Sequence, residues 1–473
     1  MIRRGFLLAA ALSCAAPLCG QEKKEPAAPV VRLAPQSAKK PATPMAYRLL
    51  PDPLDQVGGN AAPFWNRAML AARAVKPRPG ENDRWASTPL EKLPPKEPQE
   101  VLGRYAAALR LADQAALRTR CDWGYPAPTL QTLKDLPLED IAGQRVVAAV
   151  ISLRYRVALR ERKFGVALHS LQTGFALARD LGQSDLMIQN LVAVAIAHIM
   201  LHHVEEWVQT PGSPNLYWAL TALPRPLVDV RKSIRVELNT IYRSFPVLRE
   251  LKREKMAAGE VSRVVGKLSD AFPPIEGVKL PAWAKKEGVA ALVQKHYPAA
   301  KRALLASGRS PQEVAALPAV QVVVVNYLDQ YDRARDEILR WLALPMWQGR
   351  KGLQKVEADA RRGTPDQGEF LVRMLMPAVV KVYDAQLRLG RTTAGLRGAE
   401  LLRLSVATTG RPPATWEDAA GAYLGPTDPF TGQGLAAWYR PDGRRGVLDV
   451  PPPPGMPVAL GRRYETAGKG EKK

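Results

Sequence analysis

Apolar positions through the middle of the chain fall at steps of three and four, the spacing of one buried helix face. In "VLGRYAAALRLADQAALRTR" these are Leu102, Tyr105, Leu109, Leu111 and Ala112. Residues 143–182 read as two helices broken around 162–165, with Gly182 as a stop. In "QSDLMIQNLVAVAIAHIMLHHVEEWVQ" residues 191–201 are apolar on every side except at His198. That marks a buried helix, and the run is too short for a bilayer. Ser184 and Asp185 stand where a cap belongs. Leu227, Val230, Ile234, Leu238, Ile241, Phe245 and Leu248 predict one long amphipathic helix, kinked or ended at Pro246. "PAVQVVVVNYLDQYDRARDEILRWLALPMW" predicts another, since Asn326 interrupts its valine run.

Between these helices lies "SPNLYWALTALPRP". Ser213 suits an N-cap and Pro214 the first helical position, where no donor is lost. A three-turn helix follows, with Leu216, Leu220 and Leu223 on one stripe and Pro224 ending it. The expected role is a buried corner wedge, and Tyr217 and Trp218 are the candidate binding residues should the corner open to a cleft.

The hairpin over residues 143–182, with Ala167 and Leu171 at its packing positions, is loosely tetratricopeptide-like, yet no fixed period recurs. The fold class expected is therefore mainly α: an irregular array of helical hairpins over residues 46–376. A small α+β module follows over residues 377–450. In it Thr415 and Asp418 resemble a helix cap, residues 428–432 form a turn, and a short hairpin bends at Asp442 and Gly443. Residues 21–45, rich in Pro, Ala and Lys, read as a disordered linker, and residues 451–473 as a disordered tail.

At the N-terminus, two arginines, an apolar run and then small residues have the layout of a secretory signal peptide over residues 1–20. The expected localisation is periplasmic or cell-envelope, with Gln21 as the mature start and no transmembrane helix in the mature chain. Leu12-Ser13-Cys14 resembles part of a lipobox, although Ala11 replaces the preferred large aliphatic residue, so lipidation at Cys14 ranks below plain export. Cys14 and Cys19 lie in this segment, leaving Cys121 without a disulfide partner.

Lysine and arginine exceed aspartate and glutamate by 23, which predisposes the chain to anionic partners without dictating the fold. No zinc-knuckle spacing, aromatic RNA-binding motif or dense basic block is present, so nucleic acid is not the expected partner. An anionic envelope polymer or another envelope protein is.

Local catalytic signatures are scarce. His198, His202 and Glu206 recur at i, i+4 and i+8, the spacing at which one helix face can offer metal ligands. Ile199 stands where the metalloprotease pattern requires glutamate. Asp229 and Glu237 share a predicted face about 12 Å apart, beyond the spacing of a glycosidase pair. Six residues separate Gly259 from Gly266-Lys267 where a phosphate loop needs four, and Leu268 replaces its Ser or Thr. Neither a nucleophile elbow nor a dinucleotide fingerprint occurs. No cofactor is expected.

"YRLLP" with "GNAAPFW", "CDWGY", "PNLYWALTALPRPLVDVR" and the late "PTDPFTGQGL" with "WYR" together resemble a family of uncharacterised secreted proteins of planctomycete bacteria. The resemblance covers most of the folded chain and implies an exported helical protein; it carries over no activity and no site residue. The last module alone is similar to pseudopilin-like C-terminal segments, in which a "DP" turn precedes a tyrosine-rich strand. The pilin hallmark, an N-terminal helix starting with phenylalanine and a glutamate five residues on, is absent. The expected function is a non-enzymatic exported helical scaffold or binding protein with a basic surface. The alternative is a divergent metal-assisted envelope hydrolase using His198 and His202.

Overall fold

The computed structural model describes residues 27–34, 45–75, 84–85, 88–126, 129, 138–271, 288–362, 370–421, 425–443 and 445–466. The expected signal segment, with Cys14 and Cys19, lies outside them, as does most of the expected linker.

The chain opens with strands β1 (Val30–Leu33) and β2 (Val57–Asn60). Helices α1 (Ala62–Ala74), α2 (Glu97–Arg104) and α3 (Ala106–Ala116) follow, and β3 (Arg118–Arg120) returns parallel to β2. The centre of the molecule is made by α4 (Leu138–Arg160), α5 (Phe164–Gly182) and α6 (Met187–Val208). The α4–α5 bend is local in origin. Arg162 takes a positive φ of 54°, and Lys163 N–H donates back to the Ala158 carbonyl at 2.8 Å, closing the helix end. α5 and α6 approach closely because Gly174 has no side chain: a Cβ there would lie 2.1 Å from Met200 Sδ.

α6 is longer than the apolar run of residues 191–201 and, among the described residues, is the one helix long and apolar enough to cross a membrane. Within the fold, 67% of its apolar window is buried. Met200, Leu201, Val204 and Trp207 are fully enclosed. Here it acts as a core helix, packed against α4 and α5.

Four short helices follow: α7 (Tyr217–Thr221), α8 (Arg231–Leu238), α9 (Thr240–Ser244) and α10 (Val247–Arg253). The long helix expected over this region is thus three pieces. It breaks at Pro246, as anticipated, and also at Asn239, whose Nδ2 donates to the Arg235 carbonyl. The apolar stripe survives both breaks, since Val230, Ile234, Leu238, Ile241 and Leu248 are all buried. Periodicity records which side faces the core and does not require an unbroken backbone.

Next come α11 (Ala258–Ala271), α12 (Gly288–Ala306), α13 (Pro311–Ala316), α14 (Ala319–Leu342), α15 (Met346–Arg362) and α16 (Phe370–Thr409). α14 packs on α12 and α15, and α16 on α6, α7 and α15. The turn from α14 into α15 is tight: a Cβ on Gly349 would sit 2.4 Å from the Trp341 carbonyl oxygen. Backbone cannot yield as a side chain can. Gly349→Ala is therefore expected to destabilise the fold by about 1–3 kcal/mol, measured by urea unfolding, whereas an unchanged midpoint would show that the turn relaxes freely.

The C-terminal part contains α17 (Trp416–Ala420), closed by the expected Thr415–Asp418 capping box, and strands β4 (Tyr439–Asp442), β5 (Arg445–Val450) and β6 (Arg462–Thr466). β4 and β5 form the hairpin read from the sequence. The sheet order is β1-β6-β5-β4, with β1 parallel to β6 and the other pairs antiparallel. The chain is mainly α with this small sheet beside its C-terminal helices.

Three boundaries need correction. The division at 376/377 falls inside the 40-residue α16, which serves the helical array and the sheet alike. The expected linker supplies β1 and the expected tail supplies β6. Both strands are short alternations within polar surroundings: Val31, Leu33 and Tyr464 are buried while Val30 is exposed. Four or five such residues are lost in the average composition of their segments.

Candidate functional site

The histidines of α6 do not converge. His198 faces α16 and hydrogen-bonds the Ala385 backbone; burial, then the Arg388 guanidinium, hold its pKa down near about 4. His202 is exposed and pairs with Glu205 through Nδ1 at 3.2 Å, which raises its pKa. His203 is buried, stacks on Tyr155 at 4.7 Å and pairs with Glu206 through Nδ1 at 2.9 Å. Burial pushes its pKa down and favours the neutral ring, whose Nδ1–H can donate to the Glu206 carboxylate. Its Nε2 is buried and touches no polar partner, so no hydroxyl or thiol is set there for activation.

Glu206 also accepts from Arg156 Nε at 2.9 Å, and Arg156 donates on to the carbonyls of Trp85 and Thr88. Glu205 accepts from Arg462 Nε at 3.0 Å and from Tyr464 OH at 3.4 Å, tying α6 to β6. His202, His203, Glu205 and Glu206 thus close as i, i+3 pairs, and the i, i+4, i+8 set of His198, His202 and Glu206 is taken apart by these partners. Among the described residues no group of three His, Cys, Asp or Glu side chains is placed to hold a metal.

Other candidates are equally engaged. Cys121 is buried, and burial followed by the Asp180 charge pushes its thiol far up, so it is no thiolate nucleophile. Asp229 folds back onto Arg231, whose Nη2 lies 2.7 Å away, and does not pair with Glu237. "GNAAPFW" and "CDWGY" do meet. Asn60 and Asp122 bond reciprocally at 2.8 Å, and Trp65 and Trp123 donate to the side chain and backbone of buried Asp180 at 2.8 and 2.9 Å. This knot anchors β2 and β3 to α5, with its polar groups used internally.

The corner at residues 213–226 differs from its expected form. α7 has five residues, and Ser213 is not its cap. Ser213 Oγ instead donates to the Trp207 carbonyl at 2.7 Å and accepts from Arg403 Nη2 at 2.8 Å. Asn215 Oδ1 accepts from Tyr217 N–H at 3.0 Å, and Glu400 accepts from the Leu216 N–H at 2.9 Å. Tyr217 is buried and Trp218 half-buried, their rings edge to face at 5.2 Å. The wedge reading of the corner holds for Tyr217; Trp218 keeps part of its indole in solvent.

Four arginines of α16 divide into two kinds. Arg391 pairs with Asp428 through two bonds, and Arg403 pairs with Glu400 at 2.8 Å, both buried with their acids. Arg388 and Arg397 make no salt bridge among the described residues. Arg388 reaches only Met456 Sδ, at 3.5 Å. Arg397, 7% exposed, donates Nε to Thr221 Oγ1 at 3.0 Å, hydrogen-bonds the Tyr217 side chain and stands 5.6 Å from its ring centre. Arg225 donates Nη2 to the carbonyl of the same Thr221 at 2.8 Å. Two guanidiniums therefore converge on one residue with no acid between them. Nothing local in the sequence announces this, because Arg225 and Arg397 belong to unremarkable basic stretches far apart in the chain.

No family model, curated protein or solved structure matches the chain.

Proposed function

We propose that the protein is a non-enzymatic exported helical scaffold or binding protein, and that its basic surface holds an anionic or protein partner in the cell envelope. The observation that carries this reading is the unequal treatment of the α16 arginines. Arg391 and Arg403 are neutralised internally, and half-buried Arg388 has the field of Asp384, whereas buried Arg397 makes no salt bridge and feels no carboxylate among the described residues. A desolvated cation without a counter-charge is unfavourable unless something supplies one. The formal excess of 23 positive charges supports the same reading at long range.

The test is salt-dependent capture. The mature chain is expected to co-sediment with polygalacturonate beads at about 0.05 M salt and to be released at about 0.5 M, as screening shortens the reach of exposed charges. Absence of binding at every ionic strength would remove the reading.

A further inference from the structure

We infer that Arg397 and Arg225, brought together on Thr221 between α7 and α16, form a receptor for one oxyanion, a carboxylate or phosphate group carried by the anionic partner. This deepens the basic-surface reading and rests on it.

The geometry has three parts. Arg397 is nine-tenths buried, and its Nε is fixed by Thr221 Oγ1 at 3.0 Å. The same hydroxyl, having accepted from Arg397, keeps its own O–H to donate, and no acceptor among the described residues takes it. Arg225 is exposed, and its Nη2 donates to the Thr221 carbonyl at 2.8 Å, on the same residue that holds Arg397. The N–H donors of Arg397 and Arg225 that Thr221 and Tyr217 do not use, beside the Thr221 hydroxyl, suit the oxygens of a carboxylate or phosphate.

The usual structural explanation for a buried guanidinium is an acid partner, and here it fails. Glu400, three residues along α16, is committed to Arg403, the Leu216 N–H and Asn215. The largest charge effect on Arg397 comes from Arg225, of like sign, and the Tyr217 side chain that hydrogen-bonds it brings no carboxylate. Burial, then Arg225, disfavour the charged form of Arg397. Arg391 shows what the same helix does when an arginine serves only the fold: Asp428 sits against it at 2.8 Å, and Phe430 and Trp438 enclose it. An oxyanion bound at Thr221 would supply Arg397 with what Asp428 supplies to Arg391.

The experiment uses the full mature chain in low-salt, phosphate-free buffer, titrated with inorganic phosphate and separately with acetate. Binding is read by calorimetry and by the shift in melting temperature. A rise with phosphate or acetate is expected, and the stronger responder identifies the group the partner carries. Arg225→Gln, at an exposed position, is expected to weaken that binding roughly tenfold or more, the loss of one charged hydrogen bond. Arg397→Met is expected to abolish the response and to melt no lower than the parent before titration. An undiminished response in Arg225→Gln, or no response of the parent to either anion, overturns the inference. Should Arg397→Met fail to fold, Arg225→Gln still decides. Polygalacturonate capture is measured in parallel: variants that bind it undiminished sink this site alone, whereas a parent that never binds it sinks the wider reading.

Discussion

Glu400→Ala is expected to lower folding stability by about 3–5 kcal/mol, the cost of leaving one member of a buried ion pair uncompensated. The side chain is fully buried and accepts from Arg403 Nη1, Asn215 Nδ2 and the Leu216 N–H at 2.8–2.9 Å. Its removal strands a guanidinium that is itself 3% exposed. Arg403 also donates to the Ala34 carbonyl at 3.0 Å and to Ser213, while Ala34 N–H donates to the Val208 carbonyl at 2.8 Å. One pair therefore holds together the end of β1, the end of α6, the corner before α7 and the body of α16. Unfolding in urea measures the loss, and cleavage by protease near residue 34 is expected to accelerate because β1 loses its anchor. A Glu400→Leu, Arg403→Met double variant should recover much of the stability, since removing both charges avoids the orphaned one. A single variant within about 0.5 kcal/mol of the parent, the range of an ordinary surface change, would show that the node is dispensable.

The same node explains where sequence patterns ran out. Ser213 and Pro214 carry a sound helix-start signature, but the hydroxyl is used by Trp207 and Arg403, so the helix begins later, at Tyr217. A cap is a local preference of about 1 kcal/mol, and a buried guanidinium in need of acceptors outweighs it. Local features were legible where no distant partner intervened: the α4–α5 bend, the Thr415–Asp418 cap and the turn at Asp442 and Gly443. β1 and β6 were not, because each is meaningful only against the other, from opposite ends of the chain. His198, His202 and Glu206 do recur at i, i+4 and i+8 on α6, but their side chains go to different partners: His198 to α16, His202 to Glu205, and Glu206 to His203 and Arg156. Neighbouring Glu205 and His203 reach the same groups one turn sooner, at i+3. The pair at Thr221 lay beyond reach for the opposite reason, since its two arginines are 172 positions apart (397 minus 225).

Glu237→Gln is expected to stabilise the protein at pH 8 and leave it nearly unchanged at pH 4. Glu237 lies on α8, half-buried, and burial alone pushes its carboxyl up from 4.5 to about 7. No cation pairs with it among the described residues. Its neighbours across the α8–α14 contact are Tyr331, whose hydroxyl donates to the Leu238 carbonyl at 2.5 Å, and the charged groups beyond, which are engaged with one another at Asp332. The folded protein thus keeps the Glu237 proton up to about pH 7, whereas the unfolded chain releases it near its ordinary value of about 4.5. The stability tied to the protonated acid is full below about pH 4.5, declines as pH rises through the interval, and is absent above about pH 7. A shift from 4.5 to about 7 corresponds to roughly 3 kcal/mol, at about 1.36 kcal/mol per unit. Solvent contact of the half-buried side chain reduces this to about 2 kcal/mol. Glutamine has the shape of the neutral acid and no charge to bury, so it removes the decline and nothing else. Urea unfolding of both proteins at pH 4 and pH 8 reads the difference. A glutamine variant that is less stable at pH 8, or equally displaced at both values, would mean that the Glu237 carboxylate is solvated or paired in the folded state.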